Sequence, residues 1–304
     1  MISLRYHVVT IVAIFLALAI GLLAGSAFVQ PALQEELQNR TDAAEARAEE
    51  LRGDIDDLHT EISALGAFAD AVAPTLTDGK LSGTPVVLVT QTGVEDAVLA
   101  QAQSALANAG ANVLTTVSAT EEMVSKDPAT QEQLATIVGE PTASADELPT
   151  LAAQALAQGL SPSTSVVGGD VLDQLLSAGF LAPVGSGPSQ STLDEIGQPG
   201  QVVVVLSGGR GDEPTLPPED FAVPLVSRLA ELSVPVAAGE SLLSDYPYVS
   251  LVRADGTDGT VTVDDLDRTM GGAALVLGLD DLITTGDGGA YGVKDGADPL
   301  PPLP

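Results

Sequence analysis

From Val8 to Val29 the chain carries no charged residue, and only Thr10 and Ser26 interrupt the apolar run. A stretch of that length crosses a hydrocarbon core of ~30 Å as a helix, so the pattern predicts a transmembrane span. Arg5 precedes the run and Glu35 and Glu36 follow it, which places the N-terminus inside and everything beyond residue 30 outside the cytoplasm. A cleavable signal peptide is the alternative, with Ala24, Gly25 and Ser26 as small residues near the end of the run. The run is longer than a usual signal core and leads directly into an amphipathic helix, which suits an uncleaved anchor. Ala17, Gly21 and Gly25 recur every four residues, a small-residue face through which two membrane helices pack closely.

After Pro31 apolar residues return at intervals of seven. Leu37, Ala44, Leu51, Leu58 and Leu65 take the d positions of a heptad, and Thr41, Ala48, Ile55 and Ile62 the a positions. β-Branched residues at a with Leu at d favour a parallel two-stranded coil, so Leu51, Ile55, Leu58, Ile62 and Leu65 form its expected core. Arg40 at g can meet Glu45 at e of a partner, whereas Arg47 would face Arg52 unfavourably. One amphipathic helix packed on its own globular domain needs the same stripe and stays open as the alternative. Gly66 and Pro74 mark the expected end of the stalk, followed by a flexible stretch through Asp78, Gly79 and Gly83.

From Pro85 the period changes. Val86 to Val89, Val113 to Val117 and Val202 to Leu206 are continuous apolar runs rich in β-branched residues, as expected of strands covered on both faces. Val234 to Ala237 and Val249 to Val252 read as two further strands. Helical stripes lie between them: Val98, Ala102, Leu106 and Ala109, ending at Gly110; patterns running to Val138, Leu160 and Leu181; Phe221 to Leu232; and Met270 to Ile283 with Leu275, Leu279 and Leu282 inward. Thr92 to Glu95, Ser118 to Glu121 and Ser144 to Glu147 have the spacing of helix capping boxes. Alternating strands and helices imply a three-layer α/β sandwich with a mainly parallel sheet. The expected organisation is an anchor over 1–31, a coiled-coil stalk over 32–73, a linker over 74–84, an α/β domain over 85–293 and a Pro-rich tail over 294–304.

Charge narrows the partners. Asp and Glu number 42 against 11 Lys and Arg, a net of -31, which excludes nucleic acid as a partner and leaves a strongly solvated acidic surface. The expected partners are membrane lipid, a second copy of the chain in a homodimer or higher oligomer, and another envelope protein. The chain has no cysteine, so it forms neither disulfides nor thiolate metal sites.

Little of the sequence points to catalysis. His7 lies at the membrane edge and His59 in the stalk, so the α/β part has no histidine or cysteine for a nucleophile–base pair, and no acidic pair stands out by spacing. The chain therefore reads as a protein without enzymatic activity and without a cofactor. Ser207 to Pro214 follows a strand where a phosphate loop could sit, but Pro214, Pro217 and Pro218 deny it a helix N-terminus, so a plain loop is expected. Asp255 to Gly259 lacks calcium-loop spacing and reads as a β-turn. Asp264, Asp265 and Asp267 lie where they can cap the last helix, and they are the candidates for a cation or partner site.

The opening MISLRYHVV, the membrane run LALAIGLLAGS, the segment TVDDLD and the late DLITTGDGGAYG together resemble the actinobacterial MctB family of copper transporters over nearly the whole chain. The resemblance implies copper homeostasis and an envelope location, the outer membrane being the one described for the mycobacterial representative. It also admits a second class, a dimeric adaptor for cell-wall or division partners, since corynebacterial relatives are linked to cell separation. With two histidines, three methionines and no cysteine, the chain itself offers few ligands for Cu(I).

Overall fold

The computed structural model describes residues 4–162, 168–185, 187–256 and 259–302. They divide into two compact units, residues 1–65 and 66–304. The first unit is helical, formed by most of helix α1 (Leu4–Thr77), and Tyr6–Gly25 within it is apolar enough to cross a membrane, at a mean hydropathy of 2.8. The helix stops neither at Gly66 nor at Pro74. Pro74 lies in its last turn, and its carbonyl accepts the Asp78 N–H.

The second unit is built on seven strands in the order β3-β2-β1-β4-β5-β6-β7. These are β1 (Pro85–Gln91), β2 (Asn112–Ala119), β3 (Leu181–Pro183), β4 (Val202–Leu206), β5 (Val236–Gly239), β6 (Thr260–Val263) and β7 (Gly289–Tyr291). Every pairing is parallel except that of β3 with β2, and β1 sits beside β4 in register from Val86–Val202 to Thr90–Leu206. A mainly parallel sheet must be covered on both faces, and alternate residues divide accordingly. Val87, Val89, Val203 and Val205 meet a core shared with helices α3 (Pro128–Val138), α4 (Leu148–Gly159), α5 (Gly168–Ser177), α6 (Gln190–Glu195), α7 (Ala222–Glu231) and α8 (Val249–Asp255). Val86, Leu88, Val202 and Val204 meet the opposite core, shared with α2 (Asp96–Asn108) and α9 (Thr269–Thr285). The expected three-layer α/β architecture is present.

Helix α9 is buried on nearly every side from Gly271 to Leu279. Its glycines set how closely it approaches: a Cβ on Gly278 would come within 2.9 Å of Val261 and of the Tyr291 ring. It also connects β6 to β7 on the sheet face opposite to α7 and α8, although all three crossovers advance in the same direction, so its crossover has the opposite hand.

Several local expectations are corrected. Val249 to Val252 is the start of α8 and not a strand, because Val249 and Val252 point inward three residues apart and the Glu240 carboxylate accepts the N–H groups of Tyr248 and Val249 at the helix start. The helical pattern read as far as Leu181 ends at Ser177, and Leu181 opens β3. Thr92 does not cap α2; its hydroxyl donates to the Ala119 carbonyl, and Glu95 is the cap residue without a side-chain bond. Ser118 lies within β2. None of the three capping boxes forms: the Ser144 N–H and hydroxyl both donate to the Glu147 carboxylate, at 2.9 and 2.7 Å, but Glu147 itself is the cap residue of α4 and its N–H donates to the Ser144 main-chain carbonyl. Residues 78–84 are not a loose connector: Leu81 is buried, its N–H donates to Ala109, and the Gly83 N–H donates to Gly110. In the expected Asp255–Gly259 turn, Thr257 and Asp258 lie outside the described residues.

Candidate functional site

Doubly wound sheets hold ligands beyond the carboxyl ends of their strands, at the point where the strand order reverses. Here that point lies between β1 and β4, and the chain's own loop fills it. Ser207 donates its hydroxyl to the Gln91 side-chain carbonyl, and the Gln91 amide reaches the Leu216 carbonyl at 3.4 Å. The Gly209 N–H donates to Ser244 and the Gly211 N–H to Asp245, while a Cβ on Gly209 would come within 2.7 Å of the Gly93 carbonyl. Ser207 to Pro214 is thus a loop, as expected. The first turn of α2 beside it carries Asp96 after the cap residue Glu95, which opposes an anionic ligand.

Charge is concentrated further along, at the ends of β5, β6 and β7. Glu240 follows β5 with no solvent exposure, and its Oε1 lies 2.7 Å from Lys294 Nζ. Its Oε2 accepts the Tyr248 and Val249 N–H groups at 2.7 and 3.1 Å. Asp264 follows β6, also unexposed, with Oδ2 2.7 Å from Arg253 Nη1 and Oδ1 accepting the Val293 and Lys294 N–H groups. Arg253 also donates to the Thr262 hydroxyl and the Tyr291 carbonyl. Tyr248 donates to the Val205 carbonyl and accepts from the Gly239 N–H; burial and then the Glu240 charge push its phenol well above its ordinary pKa. Buried charges of this kind persist only when paired and hydrogen-bonded, and together they fasten the segment after β7 to the strand ends.

The three acids singled out in the sequence have separate surroundings. Asp264 is held by Arg253 and two N–H groups, and Asp267 accepts the Leu242 N–H at 2.7 Å. Asp265 is buried and its Oδ1 has no hydrogen-bond partner; burial, then the charges of Asp264 and Asp267, raise its pKa to about 6, against the pull of Arg268. None of the three caps α9, whose cap residue is Arg268. No group of three or more His, Asp or Glu side chains placed to hold a metal ion occurs among the described residues. Glu240, Lys294 and Arg253 escaped sequence reasoning because their pairing depends on which strands are neighbours.

Other predicted positions lie on α1. Ala17, Gly21 and Gly25 are exposed in the single chain, and a Cβ on Gly21 or Gly25 would meet nothing within 4 Å. Leu51, Ile55, Leu58, Ile62 and Leu65 are likewise exposed, and Arg40 pairs within its own helix with Glu36 at 2.9 Å. Met123 is buried in the core with α3 to α8, whereas Met270 lies half-exposed at the start of α9, across the sheet.

A family model described as "Copper transport outer membrane protein, MctB" matches residues 1–302. Proteins named copper transporter MctB from Mycobacterium tuberculosis H37Rv and Mycobacterium bovis are each 29% identical to the chain over 317 aligned residues, covering 98% of either sequence. One of the same name from Mycobacterium leprae is 28% identical over 323 residues, again at 98% coverage of both.

Proposed function

Because the chain belongs to the MctB family, we propose that it serves copper transport as a membrane-anchored protein, with its N-terminus inside and its α/β unit outside the cytoplasm. The observation that carries this reading is the family match across residues 1–302, which takes in both the apolar helix and the α/β unit. The charge-free run after Arg5 supports the orientation, and a single apolar helix supports anchoring by one span per chain.

Copper is the cargo in this reading, and no catalysis is assigned. The α/β unit has no cysteine or histidine, and Met123 and Met270 lie on opposite faces of the sheet, so soft-ligand relay through this unit has no material. A path for the ion then needs several α1 helices together or a partner protein. The heptad stripe of α1 suits a parallel homodimer, and the small-residue face at Ala17, Gly21 and Gly25 suits close packing within the membrane.

The same stripe and the same shortage of ligands favour a second reading, a non-enzymatic dimeric adaptor for cell-wall or cell-separation partners. Deleting the gene divides the two. Raised cell copper, restored to normal by the wild-type gene, supports the transport reading; unchanged copper with failed septation supports the adaptor.

A further inference from the structure

Along the heptads of α1 the g positions are charged until the last: Arg40, Arg47, Asp54 and Glu61 give way to Phe68. The e positions change with them, from Glu45, Arg52 and His59 to Gly66 and Ala73. Phe180 and Phe221 are buried in the core, whereas Phe68 stands 67% exposed on a strongly acidic chain. Because α1 passes Gly66 without a break, its heptad continues to Ala69 at a and Val72 at d, both only half-buried. Beside Ala73 lies a cleft of about 200 Å³ between the last turns of α1 and helices α2 and α9. Ala73, Pro74, Ala105 and Ala273 line it together with the polar Asp70 and Gln101. Thr269 of α9 donates its hydroxyl to Asp70, and Lys80, just beyond α1, pairs with Asp280 of α9 at 2.9 Å. Two ties thus hold the end of α1 against α9 while the gap beside them stays unfilled. Such a gap leaves its lining atoms without van der Waals partners, and a cavity of about 150 Å³ is enough to take a benzene ring.

We propose that this cleft is the seat for Phe68 of a second copy, which deepens and rests on the parallel homodimer proposed above. In a parallel two-stranded coil a g residue meets the e residue five positions on in the other chain, the relation that also pairs Arg40 with Glu45. It brings Phe68 of one copy to Ala73 of the other, at the edge of the cleft. The small Ala73 side chain leaves room for the ring, and the twofold symmetry of the dimer fills both clefts at once. The ring exchanges its exposed position for contact with α1, α2 and α9 of the other chain. Each α/β unit is thereby joined to the helix of the other copy, and not only to its own.

The test uses the full-length protein in detergent, with the photoreactive p-benzoylphenylalanine in place of Phe68. After subunit exchange between isotopically heavy and light chains, irradiation should join residue 68 of one chain to Gln101, Ser104 or Asn108 of another, as heavy–light peptide pairs. Two substitutions at exposed positions check the energetics: Phe68→Ala removes the ring, and Ser104→Trp fills the cleft from its own side. Each should weaken the dimer by about tenfold or more, and the two together by no more than either alone, since both leave the ring without its seat. Light scattering that shows only monomer for the wild type refutes the homodimer and this proposal with it. A stable dimer whose residue 68 forms no cross-link to the cleft of another chain, or whose dissociation is unchanged in Phe68→Ala, overturns the insertion and leaves the coiled coil standing.

Discussion

Lys294 places its ammonium 2.7 Å from the carboxylate of Glu240, a side chain with no solvent exposure, and so ties the segment after β7 to the end of β5. Gly292 and Asp298 hold the same segment in place by backbone bonds, and Leu300 packs on the core beneath it.

Removing the lysine should be costly, because it leaves Glu240 charged and buried without its counter-ion. Lys294→Met is expected to lose about 3–5 kcal/mol, and adding Glu240→Gln should recover part of it. Urea unfolding of the full-length protein in detergent, followed by circular dichroism, measures both; an unchanged midpoint in the single variant contradicts the pairing.

Asp265 adds a pH dependence of opposite sign to that of an ordinary paired acid. Its folded pKa of about 6 lies above the usual carboxylate value of about 4. Its favourable contribution is therefore complete below pH ~4 and lost as pH rises through about 6. The rise from about 4 to about 6 corresponds to roughly 3 kcal/mol, so Asp265→Asn should be more stable than the wild type by up to that amount at pH 8 and equal to it near pH 4. Thermal denaturation across that range reads the difference; equal stabilities at pH 8 contradict it.

The three long strands β1, β2 and β4 were legible because Val-rich runs must be covered on both faces. Shorter elements were not. Val249 to Val252 is too brief for its period to separate helix from strand, and Glu240, nine residues before Val249, receives the N–H groups at its start. Strand β6 alternates threonine with valine yet is buried throughout, since Arg253 satisfies the Thr262 hydroxyl. Strands β3 and β7 span three residues each and exist only through their pairing with β2 and β6. The candidate acids could be found from the TVDDLD segment, but the partners of Glu240 and Asp264 lie 54 and 11 residues away, a pairing fixed by strand order alone.

If α1 pairs with a second copy through its heptads, Leu58→Asp with Ile62→Asp should convert the full-length protein from dimer to monomer in detergent. Light scattering at tens of micromolar gives the mass. A wild type that is already monomeric there contradicts the coiled coil.

The proposed orientation predicts that a single cysteine at Ile283, a partly exposed residue of the α/β unit, reacts with a membrane-impermeant maleimide added to intact spheroplasts. Labelling that requires lysis would place this unit on the other side of the membrane.

Competition of the full-length protein with a Cu(I) chelator bears most directly on whether this chain serves copper transport without gripping the ion itself. With no cysteine, two histidines and three methionines, it should show no stoichiometric Cu(I) binding tighter than roughly micromolar, about 8 kcal/mol. Weak, salt-sensitive adsorption of Cu(II) to the acidic surface is compatible with that expectation. One equivalent of Cu(I) held more tightly than the micromolar range would contradict it and place copper coordination within the chain.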